Sequence, residues 1–325
     1  MEAGNSEGQR VLVIGASGSF GGAVTQELVA RGWDVACLKR PRGRPITIRG
    51  VSEITGHAGN AADVERAARG ASVVVHGHNV PYPEWPEKLV PVAQAIASAA
   101  ERAGALLVFP GNVYGLGPDF GAPLAEDCRH EAPSKKGQLR NRVEAVLERS
   151  GARVLTVRCG DFFGAHARNT WFHELTKKVA RGGALRDPAP AGVPHEWAYL
   201  PDVGNIVVDL VERRDALAPK ETFHVSTHRL TSAELFEAIN AELPRPVPVK
   251  RFPWTAVKWL GVVVPFLREL QEMKYLWDEP VLLDDTKLRR FLPGFRPTPL
   301  GAAVRQSLGL EAPVAPAGMP APSRA

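Results

Sequence analysis

The stretch Val11-Leu12-Val13-Ile14-Gly15-Ala16-Ser17-Gly18-Ser19-Phe20-Gly21-Gly22 constrains this chain more than any other. A short apolar run stops at a glycine-rich turn, and a helical pattern (Ala23, Val24, Leu28, Val29) follows at once. Strand, tight turn, helix N-terminus is the order in which a βαβ unit grips the pyrophosphate of a dinucleotide. Gly15 permits the sharp exit, Gly18 lets the backbone approach the phosphates, and Gly21 lets helix and strand pack closely. The free N–H groups of the first helical turn then face the anion. Gly15, Ser17, Gly18, Ser19, Phe20 and Gly21 are therefore the expected cofactor-binding loop. A merely structural βα turn is the alternative. A phosphate loop of the nucleotide-hydrolase type is excluded, because no Gly-Lys-Ser/Thr end follows.

A chain of 325 residues holds one large or two ordinary domains. Its net charge of +5 comes from basic residues scattered along the sequence, apart from the run Lys39 to Arg44, so no nucleic-acid partner is expected. Cys37, Cys128 and Cys159 have no metal-ligand spacing, and they read as free thiols of a reducing compartment. The polar residues 1–9 lack the apolar core of a signal peptide. The apolar run Trp259 to Leu267 is interrupted by Gly261 and Pro265 and is too short to span a bilayer. The expectation is a soluble cytoplasmic protein, a monomer or homodimer, with a small-molecule substrate and no membrane partner.

Strand patterns near 10–14, 34–38, 51–55, 72–76, 105–109 and 153–158 alternate with helical patterns near 19–31, 60–69, 86–103 and 136–149. This predicts an α/β fold: a Rossmann-type doubly wound parallel sheet over 10–160, with ligands at the C-terminal strand ends. Helical patterns near 169–181, 202–214, 231–242, 255–271 and 299–308 predict a smaller, mostly helical C-terminal substrate domain over 161–310. The chain is expected to return to the dinucleotide-binding domain around 190–225. Residues 1–9 and the Ala/Pro-rich 311–325 are expected to be disordered.

The Gly-x-x-Gly-x-x-Gly spacing resembles the short-chain dehydrogenase/reductase superfamily in its extended or atypical branches. Three further segments are similar to its nucleotide-sugar epimerases and dehydratases: Phe109-Pro110-Gly111-Asn112-Val113-Tyr114-Gly115, Lys136 to Glu144, and Trp197 to Val203. The resemblance implies a nicotinamide dinucleotide. A carboxylate after the second strand would select the unphosphorylated form, but Leu38-Lys39-Arg40-Pro41-Arg42 stands there, so NADP is favoured over NAD. His57 stands where the family commonly places an Asp against the adenine. Asn79 and Arg140 complete the expected cofactor contacts.

The resemblance breaks at the chemistry. The family's proton relay is a Tyr made acidic by a Lys one helical turn later, with a Ser or Thr on the preceding strand. Lys136, Arg140 and Pro110 occupy those three positions. Lys136 would act as a base only if burial or the like charge of Arg140 lowered its pKa. Tyr114 and Asn112 are the nearest replacement donors, so Lys136, Tyr114 and Asn112 are the candidate catalytic residues. Tyr82, Trp85, Asp161, Phe163, Arg168 and Trp171 are the expected substrate wall, Arg168 as a carboxylate or phosphate holder; the alternative is that the aromatics simply pack the two domains together. His195-Glu196 and Asp202 fall where the substrate domain meets the crevice, Asp202 with a helix N-cap as its plainer role. No metal site is expected. Two functions follow: an epimerase/dehydratase-like oxidoreductase with a non-standard proton donor, acting on a small carbonyl or hydroxyl compound, or a catalytically inactive dinucleotide-binding sensor or scaffold.

Overall fold

The computed structural model describes residues 10–117, 122–165 and 167–310, so the expected disordered ends lie outside the described residues. The first half alternates strand and helix. β1 (Arg10–Ile14) leads to α1 (Ser19–Ala30), then β2 (Asp34–Lys39), β3 (Val51–Thr55) and α2 (Ala61–Ala68). β4 (Val73–His76), α3 (Trp85–Ala103), β5 (Leu106–Asn112), α4 (Lys135–Arg149) and β6 (Arg153–Cys159) follow.

Beyond β6 come the short β7 (Asp161–Phe163), α5 (Trp171–Thr176), β8 (Leu185–Asp187), β9 (Pro194–Tyr199) and α6 (Leu200–Glu212). The chain continues through β10 (Lys220–Val225), β11 (His228–Thr231), α7 (Ser232–Glu242), β12 (Val249–Arg251) and α8 (Trp254–Leu260). It closes with α9 (Pro265–Glu272), α10 (Tyr275–Asp278), α11 (Thr286–Phe291) and α12 (Leu300–Ser307).

The main sheet has seven parallel strands in the order β10-β6-β5-β4-β1-β2-β3. Alternation along β1 divides its core: Val11 and Val13 face α1 and α6, whereas Leu12 and Ile14 face the α2, α3 and α4 layer. Apolar residues on both faces make these strands read as continuous hydrophobic runs. The order reverses between β1 and β4, which opens a crevice at their C-terminal ends.

Within the main sheet a buried ion pair ties α4 to β6. Arg158 is 2% exposed and makes two hydrogen bonds to Glu144, of 3.0 and 2.7 Å, and a third to the Asn112 carbonyl at 2.7 Å. Burial alone would push the Glu144 carboxyl up, but the Arg158 charge and hydrogen bonds hold it below its ordinary range.

The second half departs from its sequence pattern in two respects. Six strands, β7 to β12, were not anticipated. β10 extends the main sheet, β11-β9-β7 form one small sheet and β12-β8 another. The single helix expected over 255–271 is two, α8 and α9. Pro265 has no N–H to continue the ladder and instead opens α9 at its first position.

Candidate functional site

At the end of β1 three glycines from separate segments meet. Gly15 has φ +98°, and a Cβ there would lie 2.5 Å from the Gly77 carbonyl carbon, just past β4. A Cβ on Gly21 would lie 2.4 Å from the Gly15 carbonyl oxygen, and one on Gly77 would lie 2.8 Å from the Gly21 Cα. The loop, the first turn of α1 and the end of β4 are thus pressed together as tightly as backbones allow. Gly18 is the N-cap of α1 in extended conformation; it offers no side chain to cap the helix, and the first turn carries no acid. The helix therefore presents its N-terminal partial charge without an internal counter-anion.

Other expected loop residues are placed around this cradle. Ser17 is exposed. Phe20 is buried and stacks on Phe162 at 6.2 Å. The Ser19 hydroxyl accepts from the Arg168 N–H and donates to the Arg168 carbonyl, both at 3.1 Å. Arg168 is therefore brought to the glycine loop by its backbone, with its side chain in solvent.

At the edge beyond β2, Lys39 pairs with Glu53 of β3 at 2.8 Å. An acid thus does stand beside the second strand, contributed by its neighbour, and it already balances Lys39. Arg40 is exposed and has no acidic partner among the described residues. His57 is exposed too, its Nδ1 accepting from the Gly59 N–H at 3.3 Å. Burial first, then the charges of Arg40 and His57, push His78 below its ordinary range, so these three groups share one electropositive corner. Asn79 is exposed next to it.

The opposite end of the crevice gathers a buried polar cluster. The Tyr82 and Tyr114 hydroxyls are 3.2 Å apart. The Lys136 ammonium lies 5.3 Å from the Tyr82 ring centroid. Arg140 donates to the Pro110 carbonyl at 2.5 Å and packs on the Phe109 ring at 4.8 Å, and its buried Nε has no partner among the described residues. Asp161 holds His195 Nε2 at 2.7 Å, and the imidazole stacks on Trp277 at 4.1 Å. Burial, the neighbouring Tyr82 and the Asp161 charge all push the Tyr114 phenol well up. Tyr82 is also pushed up by burial, although its bond to Tyr114 opposes the shift. Gly137 makes the packing possible, since a Cβ there would lie 2.0 Å from the Tyr114 carbonyl oxygen.

Several expectations need correction. Lys136 is only 2% exposed and is bonded to carboxylates of α9, Glu272 at 2.7 Å and also Glu269. An ammonium whose N–H groups enter two carboxylates presents no lone pair to a substrate, so the arrangement is not that of a base. The Asn112 side chain accepts from the Tyr114 N–H at 3.1 Å, capping the turn at 113–115. Trp85 is 2% exposed, and its indole donates to the Val80 carbonyl. Phe163 and Trp171 lie in the core of the C-terminal region, against Tyr199 and Trp277 respectively. None of these three aromatics forms an open wall. Asp202 is not the N-cap of α6; it accepts from the Thr298 N–H at 2.9 Å and from the Thr298 hydroxyl at 2.6 Å.

Glu269, Glu272 and Trp277 join the cluster from the far end of the chain. The three-residue spacing of the two glutamates puts them on one helical face, and that was the sole sequence signal for them.

His76, at the end of β4, is buried edge-on to Phe109 at 5.5 Å. Burial and the charges of His78 and Arg140 push its pKa down to about 3, and burial with Arg158 pushes His224 down to about 4. Both stay neutral when folded but take a proton near pH ~6.5 when unfolded. The unfolded chain therefore binds more protons below that pH, and stability falls as pH drops from about 6.5 towards 4, by up to ~1.4 kcal/mol per pH unit per histidine. His224→Gln is expected to lose less melting temperature than wild type between about pH 7 and 5. Equal losses would refute this assignment.

The NmrA-like family profile matches residues 7–289. No curated protein matches the chain. Among solved structures, the Bordetella bronchiseptica enzyme WbmH, in complex with NAD+, superposes with a TM-score of 0.72 at 18% identity, covering 93% of this chain and 97% of its own. The Bifidobacterium longum UDP-glucose 4-epimerase, in complex with NAD+ and UDP, gives 0.72 at 15% identity, with 92% and 97% covered. DesIV, the dTDP-glucose 4,6-dehydratase of Streptomyces venezuelae, gives 0.72 at 18% identity over 92% and 97%. At these identities the likeness is one of fold: the chain has the architecture of the NAD-dependent epimerases and dehydratases.

Proposed function

This chain belongs to the NmrA-like family, and from that premise we propose an oxidoreductase that binds NADP in preference to NAD and acts on a small carbonyl or hydroxyl compound. The meeting of Gly15, Gly21 and Gly77 beneath an uncapped helix N-terminus carries the cofactor part of this reading. Residues 10–160, with the chain returning over 190–225, hold the dinucleotide, and 161–310 close over it. Gly15 to Gly21 cradle the pyrophosphate. Arg40 takes the 2′-phosphate, beside His57 and His78. The unpartnered Arg140 Nε is left to donate to a ribose hydroxyl. When bound, a nicotinamide ring supplies hydride exchange. The relatives' NAD and UDP complexes support a site of this class.

The phenol missing from α4 returns from two other elements. Tyr82 and Tyr114 sit within reach of one another beneath Lys136, and both phenols, pushed up further by burial, are protonated at neutral pH. Tyr114 Oη gives its proton to a substrate oxygen, Tyr82 Oη passes its own proton to the Tyr114 oxygen, and the partly exposed Tyr82 takes a proton back from solvent. Lys136 contributes by holding the Tyr82 ring and anchoring α9, not by moving a proton. Asp161 fixes His195 through Nε2, leaving Nδ1 as the second nitrogen able to carry a proton. The protein works as a monomer or homodimer in the cytoplasm.

With NADPH and a panel of small carbonyl compounds, wild type should oxidise the cofactor. Tyr114→Phe should lower kcat by about 100-fold or more, the range expected for a lost general acid, with NADPH affinity unchanged. The closed Lys136 pairs favour a second reading, a cofactor sensor without turnover. Tight NADPH binding with no oxidation across the panel would establish that reading instead.

A further inference from the structure

The connection between α8 and α9 exposes an apolar tip that none of the described residues covers. Trp259 is 71% exposed, Val262 76% and Val263 75%, with Leu260 and Val264 exposed beside them. The tip is a closed turn, not a frayed end: the N–H groups of Val263 and Val264 bond to the Leu260 carbonyl at 3.1 and 2.9 Å. At its base Gly261 lets the two helices touch, since a Cβ there would meet the Arg268 N at 3.1 Å. A built turn that holds five large apolar side chains in water marks a contact surface.

Charge identifies the occupant. Between Glu242 and Glu269 the chain carries Arg245, Lys250, Arg251, Lys258 and Arg268 and not one acid. Arg251 pairs with Asp187, but Lys258 and Arg268, which bracket the tip, have no acidic partner among the described residues. A second copy related by a twofold axis would bring these like charges together. An anionic bilayer surface meets both halves of the pattern, taking apolar side chains and a tryptophan into the headgroup boundary while attracting flanking cations. No helix among the described residues is long and apolar enough to cross a membrane, so the contact is one of surface insertion.

We propose that the α8–α9 tip docks the protein on anionic lipid surfaces, with Trp259, Val262 and Val263 inserted and Lys258 and Arg268 on the headgroups. The docked element is the same α9 whose Glu269 and Glu272 hold Lys136, so attachment bears directly on the crevice.

The test is co-sedimentation of the full chain with vesicles of phosphatidylcholine and phosphatidylglycerol, beside vesicles of phosphatidylcholine alone. Binding is expected on the mixed vesicles, weaker on phosphatidylcholine and weaker as salt rises. Lys258→Ala with Arg268→Ala should lower the partition coefficient roughly 30-fold, at ~1 kcal/mol per cation. Val262→Asp with Val263→Asp should abolish binding while leaving the melting temperature unchanged, because both side chains are in solvent. No sedimentation with the mixed vesicles would overturn the proposal, as would binding indifferent to all four substitutions. Loss of a dimer in the aspartate variant, with no vesicle binding by wild type, would assign the tip to a second copy.

Discussion

A Gly18→Asp chain is expected to melt no lower than wild type and yet to bind NADPH at least ~100-fold more weakly, about 3 kcal/mol. Gly18 occupies the N-cap of α1 with φ −91° and ψ 174°, a conformation open to any residue. Asp is among the best N-caps because its carboxylate accepts from the first-turn N–H groups, a gain of about 0.5–2 kcal/mol over a residue that cannot cap and a few tenths over glycine. The same carboxylate occupies the place where a pyrophosphate would sit and repels it. The nearest obstacle, the Gly15 carbonyl oxygen at 3.2 Å from the new Cβ, asks for a shift of a few tenths of an ångström. Stability and affinity therefore move in opposite directions, which a merely structural turn would not produce. Thermal melts beside a fluorescence titration of NADPH read both. Unchanged affinity would remove the phosphate from this helix end.

Glu144→Ala is expected to lose about 3–5 kcal/mol of folding stability, because it leaves the Arg158 guanidinium buried without its counter-charge. Arg158 would keep only the Asn112 carbonyl, with its Nε already without a partner among the described residues. Removing both charges, Glu144→Leu with Arg158→Met, should recover most of the loss, since well-packed apolar groups replace a buried pair at little cost. Urea denaturation of the three variants separates the effects. A double variant as unstable as Glu144→Ala would mean that packing, not the unpaired charge, is what matters at this position.

The main sheet was legible because its strands are buried on both faces and its helices have regular apolar stripes, so β1 to β6 fall within a few residues of their sequence patterns. β10 was not, because Lys220–Val225 is the sheet's edge strand, its first half (Lys220, Glu221 and Thr222) is only partly buried, and its pattern is neither continuous nor apolar. The glycine cradle was half legible: Gly15, Gly18 and Gly21 carry a spacing, whereas Gly77 joins them only through the pairing of β1 with β4. Lys136 shows the limit most clearly. Its neighbours in sequence suggested a like charge from Arg140, but its partners are Glu269 and Glu272, over 130 positions away. Local pattern carries strand, turn and cap; it does not carry which counter-charge a distant helix delivers. Trp85, Phe163 and Trp171 were misplaced for the same reason, because an aromatic near a strand end reads alike whether it lines a crevice or fills a core.

The most direct test of the account is a titration of wild type and Arg40→Asp with NADPH and with NADH. Wild type should bind NADPH saturably at one site per chain and more tightly than NADH, and Arg40→Asp should reverse that order by removing the fork that fits a phosphate and supplying a carboxylate that repels it. Absence of saturable binding of either dinucleotide to wild type would contradict the account at its centre.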